Sequence, residues 1–133
     1  MFPSNSVILI VDDSSAIRTM INSHLESMEF GDVLEAANGK EALKQLEDHY
    51  NEGLKIGLAI VDWKMPEMDG LELLKFMKRH KKYKEIPFLM IAAEREADKM
   101  TLAVAEGAAD FLFKPFNENQ LLEKLEAMWE RLK

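Results

Sequence analysis

Short apolar runs alternate with amphipathic segments along the whole of this 133-residue chain. The runs are rich in Val, Ile, Leu, Phe and Ala, and the second is the weakest of them. Uninterrupted runs of this kind are typical of strands buried on both faces of a parallel sheet. The pattern therefore predicts five strands, at residues 7–11, 33–37, 58–61, 88–91 and 111–113.

Apolar residues at helical spacing follow each of these runs, so five helices are predicted as well. Ser14 or Ser15 is expected to cap the first helix and Gly31 to end it, whereas Asn117 and Gln120 form a capping-box pattern before the last. The expected core-facing stripes are Ile17, Ile21, Leu25 and Met28; Ala42, Leu43 and Leu46; Leu71, Leu74 and Met77; Met100 and Val104; and Leu121, Leu125, Met128 and Leu132.

The alternation of strands and helices predicts the fold class. Five strands, each followed by a helix, imply right-handed crossovers and a parallel sheet covered on both faces, which is a three-layer α/β sandwich. The sequence contains no internal repeat, low-complexity tract or linker rich in Pro, Gly and Ser. We therefore expect residues 1–133 to form one domain.

Composition excludes several classes of function. The formal net charge is −7, from 17 Lys and Arg against 24 Asp and Glu, and it argues against a nucleic-acid partner because phosphate backbones would be repelled. The absence of cysteine removes disulfide and thiolate chemistry. No segment reads as a secretory signal or reaches the roughly 20 apolar residues of a membrane span. The expected protein is soluble and cytoplasmic, with no membrane partner.

Charged residues stand at the ends of three of the apolar runs. Asp12 and Asp13 close VILIVDD, Asp62 closes GLAIVDW, and Lys114 closes DFLFKP. The carboxyl ends of parallel strands share one edge of a sheet, so these side chains are expected to meet there. Grouped carboxylates raise one another's pKa, and a divalent cation and a nearby Lys would offset that cost. The set predicts a magnesium-dependent phosphoryl site, although each Asp alone is also a common helix cap.

Three motifs identify a family to which this chain is similar. VDD at Asp12 and Asp13, DWKMPEMDG beginning at Asp62, and KPF at Lys114 closely resemble the receiver domain of bacterial two-component response regulators, over residues from about 7 to the last helix. Further detail looks most like the stand-alone chemotaxis regulators of that family. The resemblance implies a flavodoxin-like (βα)5 sandwich with strand order 2-1-3-4-5 and the site at the carboxyl edge of the sheet.

The resemblance also implies roles for individual residues. Asp62 would accept a phosphoryl group from a sensor histidine kinase, and the only catalysis would be the chain's own phosphorylation and dephosphorylation. Magnesium would be held by the carboxylates of Asp13 and Asp62 and the backbone carbonyl of Lys64, with Asp12 holding a metal-bound water. Lys114 would pair with a phosphoryl oxygen, and its peptide bond to Pro115 is expected to be cis.

Two departures from the family pattern concern signalling. Ala92 stands where receivers usually carry a Thr or Ser that hydrogen-bonds the phosphoryl group, and Phe111 stands at a position often occupied by Tyr. Lys64 and Glu94 occupy two positions that flank the phosphoryl site, and their opposite charges are expected to pair across its mouth. Because Ala92 lacks the hydroxyl, phosphorylation is expected to proceed while its effect on the signalling surface is weakened or rerouted.

The expected partners are proteins. Besides the kinase, the resemblance implies a downstream target bound by the fourth helix, fifth strand and fifth helix, including Lys99, Phe111 and Lys124, and it allows for a phosphatase. A phosphorylation-insensitive binding module is the main alternative, because Ala92 lacks the switch hydroxyl. A magnesium phosphohydrolase is disfavoured by Lys64, which stands where a second acidic residue would be needed. An electron carrier that binds FMN is disfavoured by the acidic VDDSS segment.

Overall fold

The computed structural model describes residues 1–133, in which five strands and five α-helices alternate along the chain. A 3-10 helix precedes the fourth α-helix. In chain order the elements are β1 (Val7–Val11), α1 (Ser15–Ser27), β2 (Asp32–Ala36), α2 (Gly39–Asn51), β3 (Leu58–Asp62), α3 (Gly70–Arg79), β4 (Phe88–Ala93), the 3-10 helix (Glu94–Lys99), α4 (Met100–Ala105), β5 (Asp110–Lys114) and α5 (Glu118–Leu132).

The five strands form one parallel sheet in the order β2-β1-β3-β4-β5. This order and the alternation of elements confirm the predicted three-layer sandwich. α1 and α5 pack on one face through Ile21, Leu25 and Leu121, whereas α2, α3 and α4 cover the other. Because both faces are covered, only the two ends of the strands remain available for a polar site.

Side-chain caps fix where the helices begin. Ser14 caps α1 by accepting a hydrogen bond from the backbone N–H of Ile17 at 3.3 Å, as one of the two predicted caps. Asn117 and Gln120 form the predicted capping box at the start of α5. Such caps satisfy N–H groups that the helix itself cannot pair.

The first helix ends earlier than the sequence predicted. α1 stops at Ser27, and the chain reverses at Glu29, whose φ of 72° lies in the left-handed region. Phe30 is buried in the core, and its N–H donates to the carbonyl of Leu25 at 3.0 Å. The reversal is therefore completed before Gly31, and the prediction that Gly31 ends the helix was wrong.

Two predicted core positions lie at the surface. Val104 and Leu132 are each 48% exposed. Because the 3-10 helix changes the register ahead of α4, Met100 and Ala103 face the core instead of Val104. Leu132 is the last residue of α5 and points away from the sheet core.

β1 has its predicted bounds, and the other four strands differ from theirs by one or two residues. β2 is shifted by one residue, and β3, β4 and β5 each extend further, so that Asp62 and Lys114 are the final residues of β3 and β5. None of the helices combines the length and apolar character needed to cross a bilayer.

Candidate functional site

The carboxyl ends of β1, β3 and β5 bring three of the predicted site residues into direct contact. Asp12 follows β1, whereas Asp62 and Lys114 end β3 and β5. The Nζ atom of Lys114 lies 3.1 Å from Oδ2 of Asp12 and 3.1 Å from Oδ1 of Asp62. One amine therefore bridges two carboxylates at the edge of the sheet.

Asp12 is the most deeply buried member of the site, with 1% exposure. Its Oδ1 atom accepts a hydrogen bond from the N–H of Ser14 at 2.9 Å, and its carbonyl accepts one from Arg18 at 2.6 Å. Oδ2 is close enough to Lys114 for an ion pair, yet it is buried and makes no hydrogen bond of acceptable geometry. That oxygen keeps free lone pairs, which a cation or its bound water can use.

Asp13 completes an acidic cluster at the same edge. It is exposed, and one carboxylate oxygen from each of Asp12, Asp13 and Asp62 lies within 4.8 Å of the others. Carboxylate oxygens are hard ligands of the kind that magnesium prefers, and Oδ2 of Asp12, which makes no hydrogen bond, is available to a metal-bound water. The residues present thus fit a divalent magnesium ion.

The ionisation of Asp62 depends strongly on its surroundings. Burial, together with the negative charge of Asp12, raises the pKa of Asp62 to about 6, although the positive charge of Lys114 acts in the opposite direction. Without a cation, this carboxyl group is therefore only part-ionised near pH 6. A metal ion would favour its charged form.

Lys114 is held in its charged form. Burial alone would lower its pKa, but the carboxylates of Asp62 and Asp12 outweigh that effect and raise the pKa above its ordinary value. The Lys114–Pro115 peptide bond is cis, as predicted. The amine thus remains a permanent positive charge at the site over the physiological pH range.

Gly70 allows α3 to begin directly against β3. A Cβ atom at this position would collide with the carbonyl oxygen of Asp62 and would lie 2.9 Å from the sulfur of Met90. The N–H of Gly70 donates to the carbonyl of Trp63 at 2.8 Å, and Trp63 is itself buried. This close approach fixes both ends of the loop that carries Lys64.

The site opens into a cavity of about 620 Å³. Its lining includes the predicted residues Asp13, Asp62, Lys64 and Lys114, so four of the expected site residues face the same space. Ala93, Arg95 and Glu96 also line the cavity.

The predicted switch positions lie apart from this cavity. Ala92 is fully buried among apolar core residues, and the neighbouring Ala93 lines the cavity instead. Phe111 is half-buried on β5, with the Nζ atom of Lys124 5.4 Å from the centre of its ring. Lys124 in turn pairs with Asp110 at 3.2 Å. Phe111 is thus held against α5.

The expected pair between Lys64 and Glu94 was wrong. Glu94 does not line the cavity, and none of the ion pairs in the molecule joins it to Lys64. Glu96, two residues later, faces the cavity instead because the 3-10 helix turns it inward. Sequence reasoning missed Glu96. An acidic residue three positions after a strand end, where capping boxes place one, was the available signal.

Comparisons with known proteins agree with the geometry of the site. A family model described as the response regulator receiver domain matches residues 8–126. The chain is 41% identical over 119 residues to a chemotaxis protein CheY homolog of Campylobacter jejuni strain 81-176, covering 90% of this chain and 88% of that protein. It is 40% identical over 121 residues to chemotaxis protein CheY1 of Helicobacter pylori strain 26695, covering 91% and 94%.

A solved structure extends the likeness to three dimensions. The chemotaxis response regulator CheY4 of Vibrio cholerae superposes with a TM-score of 0.81 at 34% identity, covering 93% of this chain and 98% of that one. Receiver domains of this kind are signalling proteins rather than classical enzymes. The chain belongs to the response regulator receiver domain family and is homologous to the chemotaxis protein CheY.

Proposed function

We propose that this protein is a single-domain response regulator that accepts a phosphoryl group on Asp62 from a sensor histidine kinase, with Mg²⁺ as its cofactor. The observation that carries the proposal is the convergence of Asp12, Asp13 and Asp62 around the amine of Lys114. No other residues bring three carboxylates together in this way.

Asp62 is the nucleophile in this proposal. One of its oxygens faces Lys114, and the residue lines the open cavity through which a donor would approach. A bond forms between a carboxylate oxygen of Asp62 and phosphorus while the phosphorus–nitrogen bond of the kinase phosphohistidine breaks, and the imidazole takes up a proton. Most of the catalysis comes from positioning and charge stabilisation.

The charges of the site balance when a divalent cation is bound. Asp12, Asp13 and Asp62 contribute three negative charges, whereas Mg²⁺ and Lys114 would contribute three positive ones. The carboxylates of Asp13 and Asp62 and the carbonyl of Lys64 would hold the ion, with Asp12 reaching it through a water. Bound magnesium would supply positive charge to the phosphoryl oxygens.

Lys114 has a second role in the proposed reaction. Its amine, now shared between Asp12 and Asp62, would move its contact from the modified carboxylate to a phosphoryl oxygen. The resulting acyl phosphate would later be hydrolysed, either unaided or with a phosphatase partner.

The phosphorylated protein would signal by binding a target protein through one of its surfaces. The end of the 3-10 helix, α4, β5 and α5 present Lys99, Phe111 and Lys124 together with the exposed side chains of Leu102 and Val104. An apolar surface edged by lysines suits a protein target. The names of the relatives support a role in chemotaxis. A sensor kinase partner would imply that the protein works in the cytoplasm.

Intact mass spectrometry after incubation with acetyl phosphate and Mg²⁺ tests this proposal. The wild-type chain should gain the mass of one phosphoryl group, and neither the Asp62→Asn variant nor wild type in EDTA should do so. An equal gain in the variant, or none in wild type, would overturn the assignment.

A second candidate is a binding module whose surface does not respond to phosphorylation. Its support is Ala92, which is buried in the apolar core and offers no hydroxyl to the site. Hydrogen exchange measured with and without Mg²⁺ and beryllium fluoride, a phosphoryl analogue, separates the two candidates. Unchanged exchange in α4 and β5 would favour the insensitive module, whereas altered exchange there would favour a regulator.

A further inference from the structure

Glu96 is a buried acidic residue that the proposed chemistry does not use. Only three charged residues are buried in this protein, and the other two are Asp12 and Asp62. Glu96 is 7% exposed, lies outside the acidic cluster and yet lines the same cavity as Asp62 and Lys114. A carboxylate outside the cluster of Asp12, Asp13 and Asp62 therefore faces the phosphoryl-acceptor site.

Glu96 accepts a hydrogen bond from a backbone N–H group of a residue that lines the same cavity. Its Oε1 atom accepts a hydrogen bond from the N–H of Ala93 at 2.8 Å. Ala93 is the last residue of β4 and pairs in register with Lys114 on β5, so this amide lies beside the strand end that carries the amine. A free backbone N–H at such a place is a ready donor for an oxyanion. In the unmodified protein it is occupied by a carboxylate.

Glu96 takes part in none of the ion pairs of the molecule, whereas Asp12 and Asp62 share Lys114. Lys64, Arg95 and Lys114 line the same cavity without pairing with it. A phosphoryl group on Asp62 would bring about two further negative charges into the cavity that Glu96 lines. Like charges in a partly desolvated space repel strongly.

We propose that the carboxylate of Glu96 is an anionic plug of the phosphoryl site. It accepts the hydrogen bond of the Ala93 N–H until phosphorylation of Asp62 expels it. The inference rests on the proposed function and adds a mode of regulation to it. While the plug is in place, it slows phosphoryl transfer by repelling the incoming group. Once expelled, it leaves the Ala93 N–H free for a phosphoryl oxygen.

Expulsion of the plug would also allow phosphorylation to change the conformation of the protein without a hydroxyl at position 92. Glu96 lies within the 3-10 helix Glu94–Lys99, which leads directly into α4 at Met100. Phosphorylation would break the hydrogen bond that ties Glu96 to the N–H of Ala93 at the end of β4. Release of Glu96 therefore loosens this segment and passes the change to α4.

Two variants separate the plug from a purely structural cap. Glu96→Gln keeps an oxygen that can accept from Ala93 but removes the charge, so a structural cap would be little affected. Asp98→Asn is the matched control, because it removes the same charge from an exposed residue of the same 3-10 helix that does not line the cavity. Both variants change the net charge of the chain equally.

The measurement is the rate of phosphorylation by acetyl phosphate with Mg²⁺, followed by intact mass. The bond from phosphorus to the acetate oxygen breaks as the bond to Asp62 forms, and acetate leaves. We expect the rate for Glu96→Gln to rise about tenfold over wild type, with the rate for Asp98→Asn unchanged. Equal rates for wild type and Glu96→Gln overturn the plug while leaving Asp62 as the acceptor.

Hydrogen exchange of the wild-type chain gives a second readout that needs no variant to fold. Peptides covering residues 94–99 should exchange faster when Mg²⁺ and beryllium fluoride are added, because Glu96 is expelled. Unchanged or slower exchange in that segment would overturn the plug. If the wild-type chain takes up no phosphoryl group at Asp62, the proposed function fails and this inference fails with it.

Discussion

Asp62 is 6% exposed, ion-paired with Lys114 and close to two other carboxylates. Its burial and the charge of Asp12 keep its pKa near 6 despite the amine, so its ionisation is unfavourable in the folded, metal-free protein. In the unfolded chain the same group would titrate at its ordinary value. The difference in pKa makes folding stability depend on pH.

The pH dependence has a definite sign. Below the ordinary pKa of an aspartate both states hold the proton, and Asp62 contributes no difference. As pH rises towards 6, the unfolded chain loses its proton first, so the free energy of unfolding falls, and the full penalty is present above pH 6. About two pKa units correspond to a penalty of roughly 3 kcal/mol.

Substitution of Asp62 with Asn should remove that penalty. In EDTA, the variant should be more stable than wild type by roughly 2 to 3 kcal/mol at pH 7.5, and this advantage should vanish near pH 4. Urea unfolding of both proteins at the two pH values measures the difference. An advantage that is the same at both pH values would contradict the raised pKa.

Single residues also show what sequence can and cannot predict about the site. Asp12, Asp62 and Lys114 were predictable because each stands at the end of an apolar run, and parallel strands bring such ends together. Glu96 was not predictable in the same way, because its burial depends on a 3-10 turn that apolar spacing does not mark. For that reason Glu94, and not Glu96, was expected at the mouth of the site.

At the scale of elements, the junction between β3 and α3 positions the loop that carries Lys64. α3 starts at Gly70 with Asp69 as its cap, in a reciprocal capping box with Glu72. The helices and strands of this region were predicted well, because caps and apolar runs are local signals. The close contact between Gly70 and the Asp62 carbonyl is a tertiary feature that no local pattern contains.

Gly70→Ala should therefore destabilise the protein by about 1 to 3 kcal/mol, since the new methyl group meets backbone and cannot be accommodated by a side-chain shift. Gly31→Ala is the matched control, because a Cβ atom there meets nothing within 4 Å and φ is not in the left-handed region. The control should be neutral or slightly stabilising. Denaturant unfolding of the two variants measures this, and equal effects would contradict the role assigned to Gly70.

At the scale of the whole molecule, the sandwich buries apolar side chains on both faces of the sheet and leaves its charged site at the carboxyl edge. The folded chain gathers carboxylates that are distant in sequence, whereas the unfolded chain does not. A cation that binds this cluster should bind the folded state much more tightly, so metal binding and folding are linked.

Magnesium should accordingly stabilise the wild-type protein. The gain should be about 2.7 kcal/mol when the free ion is at 100 times its dissociation constant, and the melting temperature should rise with ion concentration. Asp13→Asn should lose most of this gain while folding normally, because Asp13 is exposed. Thermal unfolding across a magnesium series checks this. A variant stabilised as much as wild type would place the ion elsewhere.

A crystal structure of the wild-type chain with Mg²⁺ and beryllium fluoride tests the central claim most directly. We predict beryllium bonded to a carboxylate oxygen of Asp62, with magnesium bound by Asp13, Asp62 and the carbonyl of Lys64, and Lys114 in contact with the fluoride atoms. Beryllium fluoride or magnesium bound away from Asp62, or an ordered and empty site at saturating concentrations of both, would contradict the account.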